Sequence, residues 1–261
     1  MKISRRKFVG GVAMGVMFLS AFHMLDAFEA PTKSAPKVLI IGANGRIAKI
    51  VEKRLLAESA LDLRLFARNG SRLENLKNSQ NLANNQNLKS AQNPEKNQNL
   101  ASDRVEIIEG DALKKDDLLQ AMQGVDIVYA NLEGKLGEMA SNIIWAMEQA
   151  GVKRLIWISS LGVYGEVNAY ELAKVSPWLG EHKKSVALIE RSSIDYTIIR
   201  PGWLSNTDII DYGLTQKEQD FINPQQYVSR ASVADLIVKI CLNPSLYNRA
   251  SLGIHALESK K

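Results

Sequence analysis

Residues Lys37 to Ala48, reading Lys-Val-Leu-Ile-Ile-Gly-Ala-Asn-Gly-Arg-Ile-Ala, leave the chain few ways to fold. Val38 to Ile41 is an unbroken, largely β-branched apolar run, the pattern of a strand buried on both faces of a parallel sheet. It enters Gly42-Ala43-Asn44-Gly45-Arg46-Ile47-Ala48 directly. Past the glycines, Ile47, Val51 and Leu55 recur at helical spacing to about Leu56. A strand, a tight glycine turn and a helix in that order are the setting in which a dinucleotide is held. Gly42 permits the turn, Gly45 lets the backbone approach a pyrophosphate, and Ala48 lets the helix lie close on the strand. The helix N-terminus adds free N–H groups and a positive dipole end. Gly42, Ala43, Asn44, Gly45, Arg46 and Ile47 are therefore candidate cofactor-binding residues.

The G-x-x-G-x-x-A spacing resembles the turn of extended and atypical short-chain dehydrogenases/reductases, including those with an NmrA-like NAD(P)H-binding domain. The resemblance extends over roughly residues 37–256. It implies an α/β fold, a Rossmann-like doubly wound parallel sheet forming a single domain over residues 36–256, with a small C-terminal substrate lid at 203–228. Leu61 to Ala67 alternates as a second strand and is followed by Arg68, Asn69, Gly70, Ser71 and Arg72. At this point of a dinucleotide fold a carboxylate bonds the ribose 2′-hydroxyl, whereas Arg accommodates a 2′-phosphate. Arg68 is present and no carboxylate ends the strand, so NADP is expected in preference to NAD. Arg72 or Arg46 would add a second charge-assisted bond. From Asn75 to Ala101 the chain is rich in Asn and Gln, with Gln-Asn-Leu at 80–82, 86–88 and 98–100. Such a composition cannot bury a core, and 75–101 reads as a low-complexity insertion between the second and third strands. The sheet resumes at Val105-Glu-Ile-Ile108. The resemblance places Asp111 and Ala112 beside the adenine, and Ala130 and Asn131, closing the strand from Val125, near the nicotinamide ribose.

Residues 152–165 resemble the fifth strand of extended short-chain dehydrogenases, ending in Ser159-Ser160 ahead of Val163-Tyr164-Gly165. The resemblance makes Ser160 catalytic and leaves Ser159 with the cofactor. In a Ser–Tyr–Lys set the ammonium lowers the Tyr pKa, so that the phenol exchanges a proton with a substrate oxygen held by the Ser hydroxyl. Tyr170 and Lys174 have the Y-x-x-x-K spacing. Against them, Ser176-Pro177 reads as the N-cap and first residue of a new helix through Trp178, His182, Val186 and Ile189. That break would separate Tyr170 from the helix leading to Arg200-Pro201. Lys183 or Lys184 stands nearer the family's Lys position, but with Leu179 and Gly180 in place of its Tyr. Arg200-Pro201-Gly202-Trp203-Leu204 resembles the loop covering the nicotinamide in atypical members and adds Pro201 to the cofactor set. Ser205 to Tyr227 reads as an irregular lid, with Trp203, Tyr212 and Phe221 as its aromatics. Ser251 to His255 is expected to end the sheet.

Three functions fit this reading: an NADPH-dependent oxidoreductase acting on a small carbonyl, quinone or flavin, a non-catalytic NADP(H) sensor, and a nucleotide-sugar epimerase or dehydratase. The last needs a larger substrate domain than the region after Arg200 provides. At the other end, Ser4-Arg5-Arg6-Lys7-Phe8 precedes an apolar run from Val9 to Phe22. The run is short for a bilayer span and typical of a signal segment. The motif resembles a twin-arginine export signal, which makes the export machinery a partner and the periplasm the destination. No A-x-A precedes Ala27 or Ala30, so residues 1–30 act as a cleaved signal or as an anchor leaving the domain facing the periplasm. Those residues carry four basic and two acidic side chains, so the formal charge of +5 falls to +3 without them. Nothing in that balance calls for nucleic acid. Cys241 is alone, so no intrachain disulfide forms, and His23, His182 and His255 lack ligand spacing, so no metal is expected.

Overall fold

A computed structural model of the chain describes residues 35–73 and 103–257. The twin-arginine-like segment and the Asn/Gln-rich stretch lie outside the described residues. Among the described residues no helix is long and apolar enough to cross a membrane.

The run from Lys37 forms β1 (Lys37–Ile41), whose last four residues are buried. Alternation sends Val38 and Ile40 into one core layer and Leu39 and Ile41 into the other. That two-sided burial is what a continuous apolar run demands. Around β1 lie β2 (Asp62–Ala67), β3 (Val105–Glu109), β4 (Ile127–Ala130), β5 (Arg154–Ile158) and β6 (Asp195–Pro201). Strands β7 (Trp203–Ser205), β8 (Gly213–Thr215), β9 (Tyr227–Ser229) and β10 (Ala250–His255) complete the set. The main sheet has the order β3-β2-β1-β4-β5-β6-β10-β8, and β7 pairs with β9 in a separate parallel ribbon. All neighbours in the main sheet are parallel except β8, which runs antiparallel to β10.

Helices α1 (Arg46–Glu58) and α5 (Arg230–Leu242) cover one face through Ile47, Val51, Leu55, Val233 and Ile237. The opposite face is covered by α2 (Lys115–Ala121), α3 (Leu136–Ala150) and α4 (Ala169–Arg191), through Leu118, Ile143, Met147, Val186 and Ile189. The sheet is thus doubly wound, as the sequence implied. The direction in which successive strands are added reverses between β1 and β4, so the connections after these parallel strands diverge and open a crevice at their carboxyl ends.

Three expectations change. Helix α4 is continuous from Ala169 to Arg191 and passes through Pro177, so no new helix begins at Ser176-Pro177. Asn168 caps it, its side chain accepting the Glu171 N–H at 3.0 Å. Pro177 has no N–H to offer the carbonyl four residues earlier. The Ser176 hydroxyl donates to that carbonyl, Ala173, at 3.0 Å, which replaces the missing bond and lets the helix continue. The second change is in the lid region. Gly213–Thr215 joins the main sheet as its edge strand beyond β10, the chain's last strand, which holds Ser251–His255 as expected. Third, Tyr212 and Phe221 are not lid aromatics: Tyr212 donates to Asp235 at 2.8 Å, and Phe221 is buried against Leu161, Val175 and Leu179.

Candidate active site

One cleft of about 1480 Å³ runs along the carboxyl ends of the central strands. Its floor is the glycine turn. Gly42 has φ +83°, and a Cβ there would overlap the backbone oxygen of Asn131; a Cβ on Gly45 would overlap the Asn131 side-chain amide. Asn131 is itself fixed by its N–H, which donates to Ile41 at 2.9 Å. The two glycines are therefore required by the approach of one asparagine as well as by the turn. No side chain caps the N-terminus of α1, so its first N–H groups remain open. Asn44 donates to the Asn69 carbonyl at 3.2 Å, while its buried Oδ1 has no partner. A buried acceptor without a donor, in the wall of a cleft, is a place for a ligand.

At the end of β2, Arg68, Asn69 and Arg72 line the cleft, and Arg46 and Arg230 join them from the first residues of α1 and α5. Among the described residues none of these four arginines makes an ion pair. Among the described residues Arg230 donates to the Leu204 and Ser205 carbonyls and the Asn206 side chain. Burial, with Arg46 close by, pushes its guanidinium below the ordinary Arg range. Uncompensated positive charge around a concave site fits a polyanion. Asp111 and Ala112 line the same cleft; Asp111 accepts the Leu113 N–H at 3.0 Å, and Asn142 pins the loop through the Ala112 and Leu113 carbonyls. Ala43 and Ala130, expected at the cofactor, are instead buried in the two core layers and do not line the cleft.

At the far end, Ser159, Ser160 and Pro201 line the cleft together with His182 and Lys184 of α4. The Ser160 hydroxyl donates to the Leu161 carbonyl at 3.1 Å. The Ser159 hydroxyl lies 3.5 Å from His182 Nδ1, a long contact. Burial lowers the His182 pKa, which favours the neutral imidazole. Sequence reasoning passed over His182, whose only signal was its place on a helix beside the serine strand. The structure does not bring Tyr170 and Lys174 here. Tyr170 is 67% exposed and neither residue lines the cleft. Lys174 instead pairs with Glu171 at 3.0 Å and sits over the Tyr170 ring at 4.1 Å.

Residues 83–244 match the NAD(P)H-binding family. The chain belongs to that family. The match begins past the glycine turn, so the cradle is an independent observation. The chain is 35% identical to a Rossmann-fold NAD(P)-binding family protein from Shigella flexneri, covering 87% of this chain and 96% of that one at a TM-score of 0.65. A wide-type short-chain dehydrogenase/reductase from Veillonella parvula DSM 2008, solved with NADP, shares the fold at 22% identity, 87% and 97% coverage and a TM-score of 0.69. An anaerobillin reductase from Escherichia coli O157:H7 does so at 19% identity, 86% and 99% coverage and a TM-score of 0.67. Among curated protein sequences, none matches the chain. This is an NAD(P)-binding Rossmann domain, and its residues fit the cofactor: an open helix end, a glycine turn packed on Asn131, and an orphaned buried acceptor.

Proposed function

We propose that this family member is an NADPH-dependent oxidoreductase that reduces a small carbonyl, quinone or flavin. The observation that carries the choice of NADPH is Arg68 and Arg72 after β2, lining the cleft and without ion-pair partners among the described residues. A 2′-phosphate gives both guanidiniums a charge-assisted partner. Bound there, the cofactor would supply a hydride. The chain's own residues supply the rest. The α1 N-terminus and Arg46 would hold the pyrophosphate, with Arg230 close to Arg46 in the same wall. The Ser160 hydroxyl turns from the Leu161 carbonyl to hold the substrate oxygen. His182, whose Nδ1 lies 3.5 Å from the Ser159 hydroxyl, would hold a proton at its imidazole beside the serines. Of the segment 203–228, Trp203, Leu204 and Tyr227 reach the cleft and would cover the substrate at this end. Purified protein should consume NADPH with members of a carbonyl, quinone and flavin panel. Ser160→Ala should lower kcat with NADPH affinity unchanged.

The position of Tyr170 and Lys174 outside the cleft favours a second reading, a non-catalytic NADP(H) sensor. Tight NADPH binding without turnover across that panel would select it. We also propose export by the twin-arginine route, supported by Ser4-Arg5-Arg6-Lys7-Phe8 ahead of a short apolar run. Changing Arg5 and Arg6 to Lys should retain the protein in the cytoplasm; unchanged export would exclude the route.

A further inference from the structure

Lys174 and Glu171 have a use that the Y-x-x-x-K spacing concealed. Glu171 is completely buried in the first turn of α4. One carboxylate oxygen takes Lys174 Nζ at 3.0 Å; the other accepts the indole N–H of Trp203 at 3.1 Å. A carboxylate is costly to bury unless its partners are fixed, so this one holds the Trp203 ring in one orientation. The indole packs against Leu161, Val175, Leu179 and Phe221 and also lines the cleft beside Ser160 and Pro201.

Two more aromatics line the same cleft. Tyr227 is the register partner of Trp203 across the β7–β9 ribbon and is 64% exposed. Paired residues on neighbouring strands direct their side chains to the same face. Trp178 reaches the cleft from α4 and is 50% exposed. Aromatic side chains from two separate elements thus line the same cleft as the serines, and among the described residues the two exposed ones have no aromatic ring partner. The cleft also exceeds the roughly 300–1,000 Å³ of an ordinary small-molecule site, leaving room for a second ligand beside a dinucleotide.

We propose that Trp203, Trp178 and Tyr227 form an aromatic clamp that selects a flat, conjugated ring acceptor over a non-planar or aliphatic carbonyl, and that Glu171 with Lys174 is the pair that positions Trp203. This rests on the reading of the cleft as an NADPH-dependent reductase site and narrows its substrate class. Stacking on π faces rewards planarity, whereas a saturated ring of the same size gains only apolar contact.

The test titrates menadione and cyclohexanone into the full chain by calorimetry, with and without NADP+. Menadione should bind at least tenfold more tightly. Trp178→Ala and Tyr227→Ala, both at exposed positions where truncation spares the core, should each weaken menadione about tenfold. Glu171→Leu should do the same, with Glu171→Gln restoring affinity because its amide oxygen still accepts the indole N–H. Trp203→Leu, which removes the ring and leaves the carboxylate paired with Lys174, is the second variant if Glu171→Leu does not fold. Equal affinity for the two probes, or unchanged menadione binding in both exposed-aromatic variants, overturns the clamp. Menadione binding with no NADP+ binding sinks the cofactor reading alone; NADP+ binding with no preference for menadione sinks the clamp alone.

Discussion

Glu52 gives a quantitative test of how α1 seats on the sheet. It lies on the inner face of α1 with Ala48, Val51 and Leu55, only 1% exposed, and its Oε1 has no hydrogen-bond partner. Burial raises its pKa from 4.5 to about 8, against a small opposing pull from Lys49. The folded chain therefore keeps the proton at neutral pH while the unfolded chain releases it. A raised carboxyl pKa costs nothing below the unfolded value; the cost grows as pH climbs from 4.5 and levels off above the folded value near 8. At pH 7 it amounts to about 3 kcal/mol, from ~1.4 kcal/mol per pH unit. Glu52→Met, of similar length and free of charge, removes that term. Chemical denaturation at pH 5, 6, 7 and 8 should show the variant gaining on the wild type by about 1.4 kcal/mol per pH unit, with little further gain beyond pH 8. A difference that does not change with pH would show that Glu52 is ionised in the fold, and the account of its burial would be wrong.

Two further outcomes follow from the cleft. Gly45→Ala should weaken NADPH at least tenfold, because the new methyl drives the Asn131 amide into the cradle; adding Asn131→Ala should restore part of the affinity, and a neutral Gly45→Ala would refute the close approach. Burial lowers the His182 pKa, so a protonated imidazole is disfavoured in the fold. Stability that is complete above about pH 6.5 should then fall as pH drops through the unfolded value, and His182→Asn should flatten that slope in thermal melts.

The architecture was legible because its cues are local. The apolar run of β1, the glycine turn and the spacing of Ile47, Val51 and Leu55 act within a dozen residues, and the structure follows them. The helix through Pro177 was misjudged because two local cues competed. Asn168 with Glu171 three residues later is itself a helix-start pattern, and the Ser176 hydroxyl removes the cost that would have made Pro177 a boundary. Strand β8 was missed because three residues show no alternation to count. His182 and the Trp203–Glu171 bond join residues 23 and 32 positions apart, a proximity created by tertiary packing alone. Glu52 looks like a solvent-facing residue between Val51 and Lys53; tertiary packing buries it, close enough to Tyr129 of β4 to act on its phenol. The Y-x-x-x-K spacing shows the converse: a motif can be present while its side chains point elsewhere.

The central claim is that the cleft holds a nicotinamide dinucleotide and reads its 2′-phosphate through Arg68. Calorimetric titration of the chain and of Arg68→Asp with NADPH and NADH tests it most directly. The account predicts NADPH at least tenfold tighter than NADH in the wild type, and a loss of about 2 kcal/mol for NADPH alone in the variant, the scale of a hydrogen bond to a charged group. Equal affinities, equal losses for both cofactors, or no binding of either would contradict it.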